Sequence, residues 1–162
     1  MFELQRLRPD HEDAVLNFEI ANRTYFARSI SDRGDEFFER FAEFHRELLA
    51  EQGAGIGAFY VLVDEDNNVV GRFNLYDISD GSATAGYRVA RLVAGRGVAT
   101  SALRDLCRIA NECYGVRILH AVTTLDNVAS QRVLDKAGFG VVGPVQVAGR
   151  DGVQYELDLV TP

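Results

Sequence analysis

The chain is 162 residues long, 47% hydrophobic and 25% charged, a length that one core can bury and a composition that sets aside disordered, fibrous and disulfide-scaffold classes. Its formal charge of −7 argues against a nucleic-acid footprint, which needs lysine and arginine clustered on one face, and favours a cationic substrate or partner. No stretch reaches the roughly 18 apolar residues of a membrane span, and Met1-Phe2-Glu3-Leu4-Gln5-Arg6 lacks the basic and apolar regions of a secretion signal, so a single cytoplasmic domain over 1–162 is expected.

Residues 9–22 open on Pro9-Asp10 and place Ala14, Val15, Phe18 and Ala21 at helical spacing, which predicts a first amphipathic helix. The stretch Arg23-Thr24-Tyr25-Phe26-Ala27-Arg28-Ser29 mixes aromatic and basic residues without a period and reads as a loop placed for substrate contacts. Phe37, Phe38, Phe41, Phe44, Leu48 and Leu49 predict a second helix over 35–50. Strand-like runs over 57–64 and 69–77, joined by Glu65-Asp66-Asn67-Asn68, carry a hairpin signature. A third run over 82–90 follows the turn residues Ser79-Asp80-Gly81 and completes an antiparallel meander.

Ala99, Ala102, Leu103, Leu106, Ile109, Ala110 and Cys113 then predict a long amphipathic helix ending near Gly115. Its two cysteines, Cys107 and Cys113, are spaced neither as a metal knuckle nor as a bridge and read as reduced thiols. The run over 118–123 is a buried strand, parallel to its neighbour because a helix crossover precedes it. A short helix over 128–137 stops at Gly138, a residue suited to the left-handed C-terminal position. Strands over 139–147 and 153–160, separated by Ala148-Gly149-Arg150-Asp151-Gly152, form a second hairpin. The order α, α, β, β, β, α, β, α, β, β contains no linker or repeat and predicts one α/β domain.

Between the third strand and the long helix lies Val93-Ala94-Gly95-Arg96-Gly97-Val98-Ala99-Thr100. A helix start offers unpaired N–H groups and the positive end of the dipole, a setting for a pyrophosphate, and glycine lets the backbone approach it. A tight turn feeding a helix is the competing reading. The P-loop pattern is absent, and Thr100 stands where a dinucleotide fingerprint needs glycine or alanine.

Taken together, Gly86-Tyr87-Arg88-Val89, Gly95-Arg96-Gly97-Val98-Ala99-Thr100 and Asn127-Val128-Ala129-Ser130 through Lys136-Ala137-Gly138-Phe139 resemble the GCN5-related N-acetyltransferases (GNATs). The likeness is to the branch that acetylates ribosomal-protein N-termini, with Leu7-Arg8-Pro9 and Asn22-Arg23-Thr24-Tyr25-Phe26 also similar. The resemblance implies the GNAT fold: a mixed, mostly antiparallel sheet of six to seven strands flanked by about four helices, with a splayed parallel pair holding acetyl-CoA. It implies a bulge at Tyr87-Arg88-Val89, with a backbone N–H at or beside Val89 near the thioester carbonyl, and phosphates on the backbone of Gly95, Arg96, Gly97, Val98, Ala99 and Thr100. The family's usual Gln or Arg is replaced by Ala94, which supplies no side-chain partner.

Asn127 reads either as a helix cap or as a cofactor contact. Ser130 corresponds to the serine thought to protonate the departing thiolate, although a serine in a helix needs no such role. The tyrosine acid and glutamate base of other members are replaced by Leu134 and Val122, so the base is sought among His120, Tyr76 and Asp77, or the amine enters deprotonated. An α-amine, with a pKa of about 8, suits that better than lysine at about 10.4. The expected reaction is direct transfer to a primary amine, foremost a protein or peptide N-terminus, with small-molecule amines or a non-catalytic CoA-binding module as alternatives. No metal is implied, and a homodimer is the common closed assembly.

Overall fold

The computed structural model describes residues 1–160. In chain order it forms β1 (Glu3–Arg6), α1 (Glu12–Ala21), α2 (Arg23–Phe26), α3 (Asp35–Glu39), α4 (Phe41–Gly53), β2 (Ala58–Val63), β3 (Val69–Ser79), β4 (Ser82–Val89), α5 (Val98–Tyr114), β5 (Ile118–Thr124), α6 (Val128–Lys136), β6 (Gly140–Val147) and β7 (Arg150–Asp158), with single 3-10 turns at Pro9–His11 and Arg91–Val93. The strands make one sheet in the order β1-β2-β3-β4-β5-β7-β6. Every pairing is antiparallel except β4 with β5.

Helices cover both faces. Arg72 of β3 bonds to Glu19 of α1, so even-numbered β3 positions face α1. Tyr60 of β2, opposite Phe73, meets Tyr114 at the end of α5, which places α5 on the odd-numbered face. Because both faces are sealed, β2 is buried at every position, which explains its unbroken apolar run Ala-Phe-Tyr-Val-Leu-Val. Helix α5 buries Ala102, Leu103, Leu106, Cys107 and Ala110 as one stripe. Left-handed glycines flank it, Gly97 at φ 77° and Gly115 at φ 66°, a backbone conformation that side chains resist.

Several expectations are corrected. The segment Glu3–Arg6 is an edge strand against β2, too short for its alternation to register in sequence. Arg23–Phe26, expected as a loop, is a one-turn helix. The helix expected over 35–50 breaks at Arg40 (φ −106°, ψ 24°), where Phe37 packs against Phe38, Phe41 and Phe44 with centroids 5.2, 5.5 and 5.5 Å away. The last hairpin turns on Ala148 and Gly149 alone, both with positive φ, so β7 starts at Arg150.

The splayed pair is present. β4 and β5 align only at Ser82↔Ile118, Ala83↔Leu119 and Thr84↔His120, after which β4 follows β3 and β5 follows β7. The bulge expected at Tyr87-Arg88-Val89 is not there, since β4 stays in register with β3 from Thr84 to Val89. The irregularity falls in β3 between Tyr76 and Ser79, around Asp77 at φ 52°.

Candidate active site

The gap between β4 and β5 opens onto the mouth of α5. Gly95 and Gly97 have φ of 75° and 77°, and a methyl built on either would meet nothing within 4 Å, so this backbone presents an open face. The first-turn N–H groups of α5 lack intrahelical acceptors. They border two clefts: an outer one of about 270 Å³, walled also by Arg132 and Lys136, and an inner one of about 200 Å³, walled by Tyr25, Arg28, Val89, Ala94, Asn127 and Ser130 among others. Cationic side chains, a helix start and a glycine backbone together suit a linked pair of phosphates. Of the residues expected there, Gly95, Gly97, Ala99 and Thr100 line the clefts; Arg96 is exposed, and Val98 packs partly against the core.

The N–H of Ala90 donates to the carbonyl of Val70 at 2.8 Å. Consecutive N–H groups alternate across a strand, so that of Val89 points the other way, into the gap. Deeper in, Asn127 accepts from the N–H of Ser130 at 3.2 Å, which satisfies the capping reading. The Tyr87 phenol lies 3.2 Å from the Ser130 hydroxyl and 3.3 Å from its carbonyl. Its ring stacks on Phe73 with centroids 5.6 Å apart. Burial pushes the phenol up to about 12, against the opposing hydrogen bond to Ser130, so Tyr87 remains a proton donor at neutral pH. The sequence reading named Tyr87 for the backbone of the cofactor-binding strand; nothing in the pattern signalled that its hydroxyl meets Ser130.

Beside the inner cleft, on the α1 side of the sheet, a third cleft, of about 300 Å³, is framed by Ser29, Ile30, Ser31 and Arg33, the 147–150 turn and the strands between them. Tyr87, Asn127 and Ser130 line both this cleft and the inner one, so the two meet at that wall. Tyr76 enters it, its hydroxyl accepting from Asn74 Nδ2 at 3.0 Å. Gly86 makes room for the ring, since a methyl there would lie 2.9 Å from Tyr76 Cε2. Val122 is also exposed here. His120 is not part of the wall: its Nε2 is 3.1 Å from Ser82 Oγ and its Nδ1 3.9 Å from Glu156, at the closed end of the strand pair.

Four arginines line this cleft, Arg33, Arg72, Arg88 and Arg150, and among the described residues no Asp or Glu does. Arg72 and Arg88 share one buried carboxylate, Glu19, at 2.8 and 2.6 Å. The Arg88 side chain is therefore committed to α1 and to the Phe26 ring 4.6 Å away, and the residue also borders the inner cleft. Burial pulls Arg88 down to about 10, with Glu19 opposing the shift and Arg33 and Arg72 adding to it. Arg33 is likewise held below the ordinary arginine value, by desolvation first and by Arg72 repulsion. The sequence reading singled out Arg88 alone among these arginines.

Among the described residues no group of three or more His, Cys, Asp or Glu is placed to hold a metal, and no helix is long and apolar enough to cross a membrane. Comparison with known proteins agrees with the geometry. The probable N-acetyltransferase YjcK of Bacillus subtilis (strain 168) is 26% identical over 133 residues, 76% of this chain and 72% of its own. The ribosomal-protein-S5-alanine acetyltransferase of Vibrio fischeri superposes with a TM-score of 0.91 at 17% identity, covering 99% of this chain and 96% of its own. The spermidine N-acetyltransferase of Vibrio cholerae, in complex with CoA and spermine, gives 0.80 at 15% identity, covering 98% and 95%. The family model described as an acetyltransferase (GNAT) domain matches residues 2–140; the chain belongs to that family and is an acetyl-CoA-dependent N-acetyltransferase.

Proposed function

We propose that the chain acetylates the α-amine of a protein or peptide N-terminus by direct attack in a ternary complex. The observation that carries this reading is the meeting of the two clefts at the Tyr87–Ser130 wall: a donor in one and an acceptor in the other would reach the same point. Acetyl-CoA would supply the activated carbonyl and a thiolate leaving group. The amides of residues 95–100 would hold its phosphates, and the Val89 N–H would receive the oxygen charge that develops during attack. Ser130 would protonate the departing sulfur and regain a proton through its contact with the Tyr87 phenol, while the proton shed by the attacking amine passes to solvent and returns to this pair, so that amine and thioester give amide and thiol. Positioning supplies much of the remaining acceleration.

Of the bases considered, Tyr76 is in the acceptor cleft and His120 is not among its lining residues. A phenol is a weak base for an ammonium, which favours an acceptor whose amine is already largely neutral: an α-amine near 8 and not a lysine near 10.4. The V. fischeri protein acts, by its name, on a ribosomal-protein alanine and the V. cholerae protein on spermidine. The first class fits this cleft better, because a polyamine would bring several ammonium groups to a wall without carboxylates.

Thiol release from acetyl-CoA, followed with peptides beginning Ala, Ser or Met and with polyamines and aminoglycosides, tests activity and acceptor class together. Tight CoA binding with no turnover on any amine would replace the enzyme reading with a binding module. Ser130→Ala is expected to lower kcat by about 10²-fold while the KM for acetyl-CoA stays within about twofold. Unchanged kcat removes Ser130 from the chemistry.

A further inference from the structure

We infer that the acceptor carries a carboxylate close to its amine, and that Arg33, supported by the positive field of Arg72 and Arg88, recognises it. This rests on the proposed acetyl transfer to an α-amine and specifies which amines are taken.

The inference comes from charge accounting in the acceptor cleft. Arg72 and Arg88 are met by the single carboxylate of Glu19, which leaves one positive charge between them. Arg150 is neutralised by Asp126 on the adjoining loop. The Arg33 guanidinium has neither an ion pair nor a hydrogen bond among the described residues; it rests on the Phe37 ring, 4.7 Å from the centroid. The cleft therefore holds about two unmatched positive charges, in a chain whose net charge is −7.

That inversion is local. The acidic composition pointed to a cationic substrate, whereas the acceptor cleft has the opposite sign. The acidic exterior does not overrule it, since charges separated by more than about 10 Å are largely screened at 0.1 M salt, and a bound carboxylate meets the arginines at contact. A guanidinium presents a planar fork of donors matched to a carboxylate, and the charge-assisted bonds so formed are the strong ones. Arg33 has its whole fork free. An acceptor with a second ammonium meets repulsion and gains no partner, so the same side chains both select and reject.

The acceptor class that fits is a peptide whose α-amine is followed within the first few residues by Asp or Glu. A small amino acid carrying its own carboxylate shares this chemistry, and the test separates the two.

With the full-length protein and saturating acetyl-CoA, kcat/KM is measured by thiol release for Ala-Glu-Glu, Ala-Ala-Ala and Ala-Lys-Lys peptides of equal length, for spermidine, and for free glutamate against free lysine. The expected order is acidic over neutral over basic, with about tenfold between the acidic and basic peptides, read mainly in KM. The gap should shrink as salt is raised from 0.05 to about 0.5 M. Arg33→Gln should reduce the acidic-over-basic ratio severalfold. Preference for free glutamate over the acidic peptide would assign the carboxylate to a small acceptor. Equal or better use of the lysine peptide or spermidine, or a salt-independent ratio, overturns the inference and leaves acetyl transfer intact. Absence of release with every amine overturns both. The salt series uses the unaltered protein, so the test does not depend on folding of the variant.

Discussion

Glu19 is one carboxylate, 2% exposed, between two guanidiniums at 2.8 and 2.6 Å. Removing one member of a buried ion cluster costs far more than the cluster contributes, because the charges left behind remain desolvated. Glu19→Gln is expected to lower unfolding free energy by about 3–5 kcal/mol, read as a shift in the urea midpoint. The partners are 53 and 69 positions away in sequence, and Glu19 merely fell on the polar side of a predicted helix; nothing local marks such a contact. Tyr87 was named from the sequence for its backbone, and its hydroxyl became meaningful only when α6 packed over β4. Its pKa is raised to about 12 by burial, from an ordinary 10. That contribution to stability is complete below about pH 10 and is lost as pH rises through about 12. Tyr87→Phe, which has no phenol to ionise, should therefore show a shallower loss of stability on the alkaline side, measured by unfolding between pH 8 and 11.

Among the elements, the Gly95–Gly97 segment was readable from sequence because its signal is local. A strand, two glycines and an amphipathic helix fix a helix mouth whatever surrounds it. Gly97 sits in a left-handed conformation with no atom within 4 Å of a notional methyl, so Gly97→Ala meets no clash and isolates the backbone effect. It should cost about 1–2 kcal/mol in stability, and any pull of the backbone away from this geometry should raise the KM for acetyl-CoA more than it lowers kcat. Titration with acetyl-CoA alongside thermal unfolding separates the two. Features that depend on a partner were less visible. The four residues of β1 become a strand because β2 offers an edge. The helix over 35–50 is broken at Arg40, where Phe37 packs among its neighbouring rings. The irregular register lies at Tyr76–Ser79 and not at Tyr87-Arg88-Val89, a property of the β3–β4 pairing that neither strand carries alone.

At the scale of the whole molecule, the walls of the proposed donor cleft come from Tyr25 and Arg28 with β4, α5 and α6, while the proposed acceptor cleft is framed by Ser29, Ile30, Ser31 and Arg33 and by the 147–150 turn, from opposite ends of the sequence. The element order was legible because helical and strand periods are dictated by which side is buried. The proposed acceptor cleft was not, because its arginines are scattered from 33 to 150 and only the fold assembles them. The family match ends at residue 140, short of that turn. The tight two-residue hairpin at Ala148 and Gly149 thus becomes a natural cassette: exchanging it is expected to retune which amines the proposed acceptor cleft admits, while the glycine-rich mouth of α5, built from other segments, is left as it was.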